Sequence, residues 1–150
     1  MVETMQELTD IEKAYIAGIV DGEGYIGILK GKLVDPRKIC PYTLKVSVTN
    51  TDLKLIYFLK ERLGVGSITK VPANYRFSRR PWYQYVVQAN NALKLLSMVR
   101  PYMIIKNIQA GIAIEFQEKR WGRHGRGIKR PEEETIFLED CLQRLKRERI

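Results

Sequence analysis

Two carboxylates and two glycines follow a strongly apolar run in the stretch AYIAGIVDGEGYIGI, residues 14–28. Asp21 and Glu23 stand at the end of a helix-like segment, where the helix dipole disfavours negative charge. Carboxylates and the exposed carbonyls of a helix end are hard oxygen ligands for Mg²⁺, which can activate water and stabilise a leaving oxygen in phosphodiester hydrolysis. A polar turn in which Asp21 only caps the helix is an equally good interpretation of the motif's chemistry alone.

Small residues recur every four positions before and within this motif. Ala14, Gly18 and Gly22 share one side of the predicted helix and leave it almost without side chains, so that another backbone can approach closely. Because the chain holds no second helix of this kind, we predict that the partner is the same helix of a second copy, related by two-fold symmetry. The alternative is that Gly18 packs against the chain's own sheet.

The distribution of charge favours a polyanionic partner. The chain has 150 residues and a formal net charge of +9. Residues 25–130 hold 21 Lys and Arg against five Asp and Glu, whereas acidic residues outnumber basic ones in residues 1–24 and 131–150. A concentrated positive field suits phosphate contacts, whose strength comes from counterion release. Nucleic acid is therefore the predicted partner, and a basic surface that serves only solubility is the alternative.

Length and composition argue against several other classes of protein. A chain of this length predicts one domain with its own core. No apolar run approaches the roughly 20 residues of a membrane span, and the acidic N-terminus is unlike a signal peptide. We therefore expect no membrane partner and an intracellular location, either the cytoplasm of an archaeal or bacterial host or an organelle. Cys40 and Cys141 lack metal-ligand spacing and predict two reduced thiols.

Hydrophobic periodicity predicts the element order α-β-β-α-β-β-α-α-α. The first helix is expected to begin at Thr9 or Asp10 and to end near Val20, and its apolar stripe is expected to contain Ile11, Tyr15, Ile16, Ile19 and Val20. The second helix is expected to begin after Thr51 or Asp52 as its cap and to end at Gly64. The remaining predicted elements are strands at 25–33, 42–50, 65–71 and 82–89 and helices at 90–99, 103–119 and 131–150.

The predicted fold class is α+β, with a four-stranded antiparallel, saddle-shaped sheet and helices on one face. In the second strand, Leu44, Val46 and Val48 alternate with a polar set that consists of Thr43, Lys45, Ser47 and Thr49. In the fourth strand the predicted core set is Tyr83, Tyr85, Val87 and Ala89. Residues 1–24 form the first predicted segment of this single domain, residues 25–89 contain the sheet and second helix, and residues 90–150 contain the C-terminal helices.

The polar face of such a sheet suits DNA recognition, because a two-stranded ribbon fits the major groove and polar side chains pair there with base edges. A strand of about eight residues covers about 26 Å, or around eight base pairs. An ordinary solvated sheet face is the alternative. The predicted DNA-binding residues are basic and polar residues of the strands and loops: Lys30, Lys32, Thr43, Lys45, Ser47, Thr69, Lys70, Arg76, Arg79, Arg80, Gln84, Gln88, Arg123 and Arg126.

The run IAGIVDGEG at residues 16–24 resembles the nine-residue signature of the LAGLIDADG homing endonucleases, with matches at Ala17, Gly18, Asp21 and Gly24. The element order, the GVG at 64–66 and the run PYMIIKNIQA at 101–110 are also similar to that family, so the likeness covers most of the chain. The resemblance implies a homodimer that cleaves both strands of a long, near-palindromic double-stranded DNA site. It also implies Mg²⁺ as the cofactor, with Mn²⁺ or Ca²⁺ as other occupants, and no small-molecule substrate.

The same resemblance implies roles for individual residues. Glu23, at the eighth position of the signature, is the implied metal ligand in place of the commoner Asp; the Gly22 carbonyl is a neighbouring ligand and Asp21 ranks second. Lys106 matches a basic residue near the scissile phosphate, and Asn50 occupies the region of a Gln or Asn that holds a metal-bound water. The implied dimer interface comprises Ala14, Ala17, Gly18, Asp21 and Gly22.

Two functions of another class use a similar surface. An RNA-binding intron maturase, or a DNA-binding regulator that does not cut, would keep the basic sheet. Neither would need the acidic residue Glu23 together with the basic residue Lys106, and the chain has both. The sequence therefore favours a nuclease.

Overall fold

A computed structural model describes residues 4–32, 41–73, 79–119 and 130–149. The elements follow the predicted order, and a short 3₁₀ turn at Arg100–Tyr102 separates the third and fourth helices. They are α1 (Asp10–Glu23), β1 (Gly24–Lys30), β2 (Tyr42–Asn50), α2 (Leu53–Leu63), β3 (Ser67–Val71), β4 (Trp82–Gln88), α3 (Ala89–Val99), α4 (Asn107–Glu118) and α5 (Glu132–Glu148). Within the described ranges, no helix has the length and apolarity that crossing a membrane requires.

The four strands form one antiparallel sheet in the order β1-β2-β4-β3. All five helices lie against one face of this sheet or against each other, and the core between them contains Leu44, Val46 and Val48 of β2 and Tyr85 and Val87 of β4. The predicted α+β class and the antiparallel four-stranded sheet are confirmed. The alternation predicted for β2 is confirmed, since its three core residues are at most 2% exposed. In β4, Tyr85 and Val87 are buried as predicted, but Tyr83 is only partly buried, and the assignment of Ala89 is wrong because this residue begins α3.

A capping box begins α1. The Thr9 hydroxyl accepts the Glu12 N–H, and the Glu12 carboxylate accepts the Thr9 N–H. The same carboxylate pairs with Arg62 of α2, whose hydrogen bond, followed by that of the Thr9 N–H, lowers the pKa of Glu12 to about 2. One residue thus starts α1 and joins it to α2.

The rotation of α1 about its axis differs from the expectation. Ile16, Ala17 and Val20 face the core, but Ile11 is 83% exposed and Tyr15 is 58% exposed. The predicted five-residue stripe is therefore wrong for these two residues, because they lie on the glycine side of the helix. The apolar surface of α1 extends beyond what the chain itself buries.

The second helix forms as expected. The Asp52 side chain accepts the Lys54 N–H at 2.9 Å and so caps its start. Gly64 follows its last residue with a φ of +73°, in the left-handed region that glycine adopts without a steric penalty. These caps direct the chain from β2 back into the sheet through β3.

Candidate active site and nucleic-acid interface

The DGE motif lies inside α1 rather than after it. The predicted end near Val20 is wrong, since α1 continues to Glu23 and is terminated by Gly24, whose N–H donates to the Val20 carbonyl. Residues two apart on an α-helix point about 200° apart. Asp21 is accordingly 9% exposed, whereas Glu23 is exposed at the surface. The two carboxylates therefore have different environments and different chemistry.

The Asp21 carboxylate binds the loop before α4. One oxygen accepts the N–H groups of Ile104 at 2.7 Å and Ile105 at 3.3 Å, and the other accepts the Lys106 N–H at 3.0 Å. Because both oxygens are engaged, Asp21 holds this loop and is poorly placed for the metal role that the resemblance implied. The same bonds explain why α4 begins at Asn107 and not at residue 103 as predicted.

Opposing effects act on the Asp21 carboxyl. Burial raises its pKa, but hydrogen bonds from the N–H groups of Ile104, Lys106 and Ile105 and the charge of Lys106 outweigh burial, so that the pKa is lowered from its usual value. A carboxylate with a lower pKa in the folded than in the unfolded chain stabilises the fold above the ordinary Asp pKa of about 3.9. That stabilisation is lost as the pH falls through the lowered pKa.

Lys106 completes a reciprocal contact between the loop and α1. Its Nζ donates to the Val20 carbonyl at 3.2 Å and to the Asp21 carbonyl. A cation is favoured at the C-terminal end of a helix, where carbonyls lack intrahelical partners. The ammonium group therefore lies at the helix turn that carries Glu23, as the predicted pairing of these two residues requires.

Asn50 lies at the same end of the sheet. Gly24, the first residue of β1, pairs with Val48, so Asn50 extends two residues beyond that pair towards the end of α1. Its Oδ1 accepts the Asp52 N–H at 2.7 Å in the turn before α2. The carbonyl oxygen of the Asn50 side chain is thus committed to this turn.

A complete metal site is absent from the described part of a single chain. No group of three or more His, Cys, Asp or Glu residues in these ranges could hold a metal ion. Ca²⁺ and Mg²⁺ take six or more oxygen ligands. The exposed Glu23 and nearby backbone carbonyls are suitable donors by chemistry, and water, DNA or a second chain would supply the remaining ligands of such an ion.

The outer face of α1 is open. A Cβ atom added at Gly18 or at Gly22 would meet nothing within 4 Å. The alternative in which Gly18 packs against the chain's own sheet is therefore wrong. The predicted interface role of Ala17 is also wrong, because this residue is completely buried in the core.

Large apolar side chains flank this open face. Ile104 is 88% and Ile105 is 72% exposed on the loop that Asp21 holds. On the other flank, Tyr15 makes an edge-to-face contact with Phe58 of α2 at 5.5 Å between ring centroids. We did not predict the exposure of the two isoleucines, and the only signal in the sequence was an Ile-Ile pair beside a polar residue.

The sheet face away from the helices carries most of the predicted strand contacts. In cross-strand register, Thr49 lies beside Gln84 and Gln84 beside Thr69, while Lys45 lies beside Gln88. The Gln84 Nε2 donates to the Thr49 hydroxyl at 3.4 Å. These side chains, with Thr43, form the polar surface that we call the groove face, on which Thr69 and Gln88 are exposed and the others are half-buried.

Three of the predicted DNA-binding residues do not present an exposed side chain on the groove face. Ser47 belongs to the groove face but is only 3% exposed. Lys30 and Lys70 alternate onto the opposite, helix-covered side of their strands, where Lys30 pairs with Glu139 at 3.3 Å. These three assignments are therefore corrected: Ser47 is buried, and Lys30 and Lys70 are on the other face because a shift of one residue along a strand changes the face.

Lys32, Arg79 and Arg80 are exposed beside the strand ends. Other predicted positions lie outside the described residues, namely Arg76, Arg123, Arg126 and the cysteine Cys40.

The arrangement of α1, the four-stranded sheet and the covering helices is the LAGLIDADG homing endonuclease fold. Comparison with solved structures shows this. The homing endonuclease I-CvuI in complex with its target, determined with Ca, matches 91% of this chain and 95% of its own at a TM-score of 0.60 and 14% identity. The archaeal intron-encoded I-Vdi141I in complex with DNA matches 93% and 98% at a TM-score of 0.59 and 18% identity.

Two further comparisons involve longer proteins. The I-SmaMI LAGLIDADG homing endonuclease bound to cleaved DNA has a TM-score of 0.62 over 95% of this chain and 45% of its own, at 18% identity. The probable intron-encoded endonuclease Cox1-I1b of Schizosaccharomyces pombe is 26% identical over 87 residues, which are 55% of this chain and 23% of that protein. The chain thus spans less than a quarter of this curated relative. No protein-family model matches the sequence.

We predict that Asp21→Asn destabilises the protein by about 2–3 kcal/mol at neutral pH, because the loop N–H groups lose a charged acceptor. The difference from wild type should shrink as the pH falls through the lowered pKa, since the wild-type carboxyl is then protonated as well. Urea unfolding across this pH range measures both effects. Asp52→Asn is the matched control and should change stability little, because Asn also caps helices well. An Asp21→Asn deficit that does not change with pH would contradict the assignment.

Proposed function

We propose that the chain is a divalent-metal-dependent DNA endonuclease of the intron-encoded homing type. It acts as a homodimer that hydrolyses both strands of a long, near-palindromic double-stranded site. The observation that carries this proposal is the exposed Glu23 carboxylate on the same helix turn as the Lys106 ammonium contacts, at one end of the polar groove face. A structural role for the motif accounts for Asp21 but leaves Glu23 without a purpose.

The groove face supports double-stranded DNA as the substrate. Its rows of Lys45, Thr49, Thr69, Gln84 and Gln88 offer donors and acceptors to base edges. I-CvuI and I-Vdi141I, which share the fold, were each determined in a complex with DNA. The net charge of +9 would supply the phosphate attraction that holds such a surface on a duplex.

The open face of α1 supports the homodimer. Gly18 and Gly22 would allow the backbones of two copies to approach, and the flanking Ile11, Ile104 and Ile105 would be removed from water. A two-fold axis along the paired helices would place both Glu23 residues at the same end. In this proposal residues 1–150 act as one endonuclease domain, with α1 as the dimer helix and the sheet as the DNA surface.

Metal binding follows from this pairing. Glu23 of each copy and the Gly22 carbonyls would hold Mg²⁺, or another divalent ion such as Mn²⁺ or Ca²⁺. Structures of I-CvuI were determined with Ca and with Mg. The bound ion would activate water and stabilise the leaving oxygen.

Two residues of this chain would then act at the scissile phosphate. Lys106 would transfer its ammonium contacts from the α1 carbonyls to the phosphate, where it steadies developing charge. Asn50 would use the amide nitrogen of its side chain to position water, since its oxygen holds the turn before α2.

We predict that Glu23→Gln binds target DNA with unchanged affinity but cuts it at least about 100-fold more slowly than wild type. A loss of this size is expected when one group that stabilises the transition state is removed. The target is first selected as cleavable duplexes from a randomised pool in the presence of Mg²⁺. Gel-shift and nicking assays then measure the two properties separately. Glu118→Gln, at an exposed position on α4, is the control and should cut normally. Undiminished cutting by Glu23→Gln would refute the metal role.

We predict that Gly18→Gln abolishes dimer formation without unfolding the chain. The Cβ of the new side chain would meet nothing within 4 Å in its own protomer, and glycine is less favourable than other residues within a helix by up to about 1 kcal/mol. Sedimentation at micromolar concentration should therefore show wild type at twice the chain mass and the variant at the chain mass, while circular dichroism shows that the variant is folded. Ser97→Gln on the exposed side of α3 should remain dimeric. A wild-type monomer would count against the homodimer.

A further inference from the structure

The basic residue that follows α5 reaches the groove face, although this helix packs against α4 and β1. Arg149 follows the last residue of α5, and its Nη2 donates to the Ile26 carbonyl of β1 at 2.8 Å. Its guanidinium lies 4.6 Å above the centroid of the Tyr25 ring. Gln109 donates to the carbonyl of the preceding residue, Glu148, at 3.3 Å and so fixes the end of the helix.

The position of Gly27 shows on which face the guanidinium lies. In β1, residues 25, 27 and 29 point to the groove face, in register with Ser47, Lys45 and Thr43 of β2. A Cβ at Gly27 would point the same way and would lie 2.6 Å from the Arg149 Nη2, and it would also overlap the Tyr25 hydroxyl. Arg149 and Tyr25 therefore occupy the space above Gly27 on the groove face itself.

The place of β1 in the sheet indicates what Arg149 would meet there. β1 is an edge strand in the order β1-β2-β4-β3. Neighbouring strands lie about 4.8 Å apart, so four strands span about 14 Å from the first to the last. The major groove is about 12 Å wide. When the strands run along the groove, a sheet of this width brings its edge strands close to the phosphate backbones on either side.

We propose that Arg149 binds a phosphate of the DNA backbone along the β1 edge of the groove face. This inference rests on the proposed function, since it requires that the groove face binds duplex DNA. A guanidinium has five N–H donors in a fixed plane. The bond to Ile26 and the stacking on Tyr25 orient that plane, and the remaining donors are those that pair with phosphate oxygens. Arg149 is thus held in its binding orientation before DNA arrives.

A purely structural function predicts a different result. If Arg149 only ties α5 to β1, its loss lowers stability but leaves the salt dependence of DNA binding unchanged. If it neutralises a phosphate, its loss removes one released counterion. The slope of log K against log salt concentration then becomes less steep by about 0.9.

The experiment measures binding of random-sequence duplex DNA by the full chain at several salt concentrations. We expect Arg149→Gln to make the slope of log K against log salt concentration less steep by the contribution of about one phosphate contact, and to do so for every DNA sequence. Arg144→Gln is the matched control on the same helix, because Arg144 pairs with Glu115 at 3.2 Å and Asp140 at 3.7 Å and should not affect the slope. Gly27→Ala should reduce the slope as Arg149→Gln does, since its methyl group displaces the guanidinium.

The outcomes separate this inference from the proposed function. A wild-type chain that does not bind duplex DNA at low salt would overturn both. Normal wild-type binding with an unchanged slope for Arg149→Gln would overturn the phosphate contact alone. A wild-type slope for Gly27→Ala, with a reduced slope for Arg149→Gln, would overturn the positioning by β1. Circular dichroism of each variant confirms that it is folded.

Discussion

The contact between the Asp21 carboxylate and the loop before α4 is the constraint on which the candidate site depends. Three N–H groups donate to one nearly buried carboxylate, and the Lys106 side chain donates back to the carbonyls of the same helix turn. Hydrogen bonds to a charged group are stronger than neutral ones, and an unpaired buried carboxylate would be costly. The end of α1 and the position of Lys106 are therefore fixed together.

The two carboxylates of the DGE motif also differ in function because of this contact. The helix directs Asp21 inward and Glu23 outward, so one residue stabilises the turn while the other is exposed beside it. The glycines of the motif also differ in their surroundings. Gly24 ends the helix at a position where a Cβ would lie 2.8 Å from the Val20 Cα, whereas Gly18 and Gly22 face open space that a second chain can fill. A motif of nine residues thus contains a structural element, a reactive group and a contact surface.

Much of this arrangement was predictable from local patterns. Period-two alternation identified the core residues of β2 and the buried pair Tyr85 and Val87 of β4, and the capping residues located both ends of α2. The rotation of α1 was not predictable, because Ile11 and Tyr15 satisfy a helical apolar pattern whether they face the core or a partner. The start of α4 was missed because its preceding N–H groups bind Asp21, which is distant in sequence.

The nucleic-acid surface was predicted less accurately than the end of α1. Charge counts detect a basic region but do not distinguish the two faces of a strand, so Lys30 and Lys70 were assigned to the wrong face. Arg149 was missed for the opposite reason. It belongs to a helix whose sequence indicates packing, and only tertiary structure brings its guanidinium above Gly27 on the groove face.

The central claim is that two copies of α1 bring their Glu23 carboxylates to shared metal ions beside cut DNA. The most direct measurement is a crystal structure of the protein with its selected duplex and Ca²⁺, in which the distances from both Glu23 carboxylates to bound cations are determined. The account predicts two protomers joined through α1 and a Glu23 oxygen of each at about 2.3–2.6 Å from a cation. Glu23 side chains that lie far from any cation, or protomers joined through another surface, would contradict it.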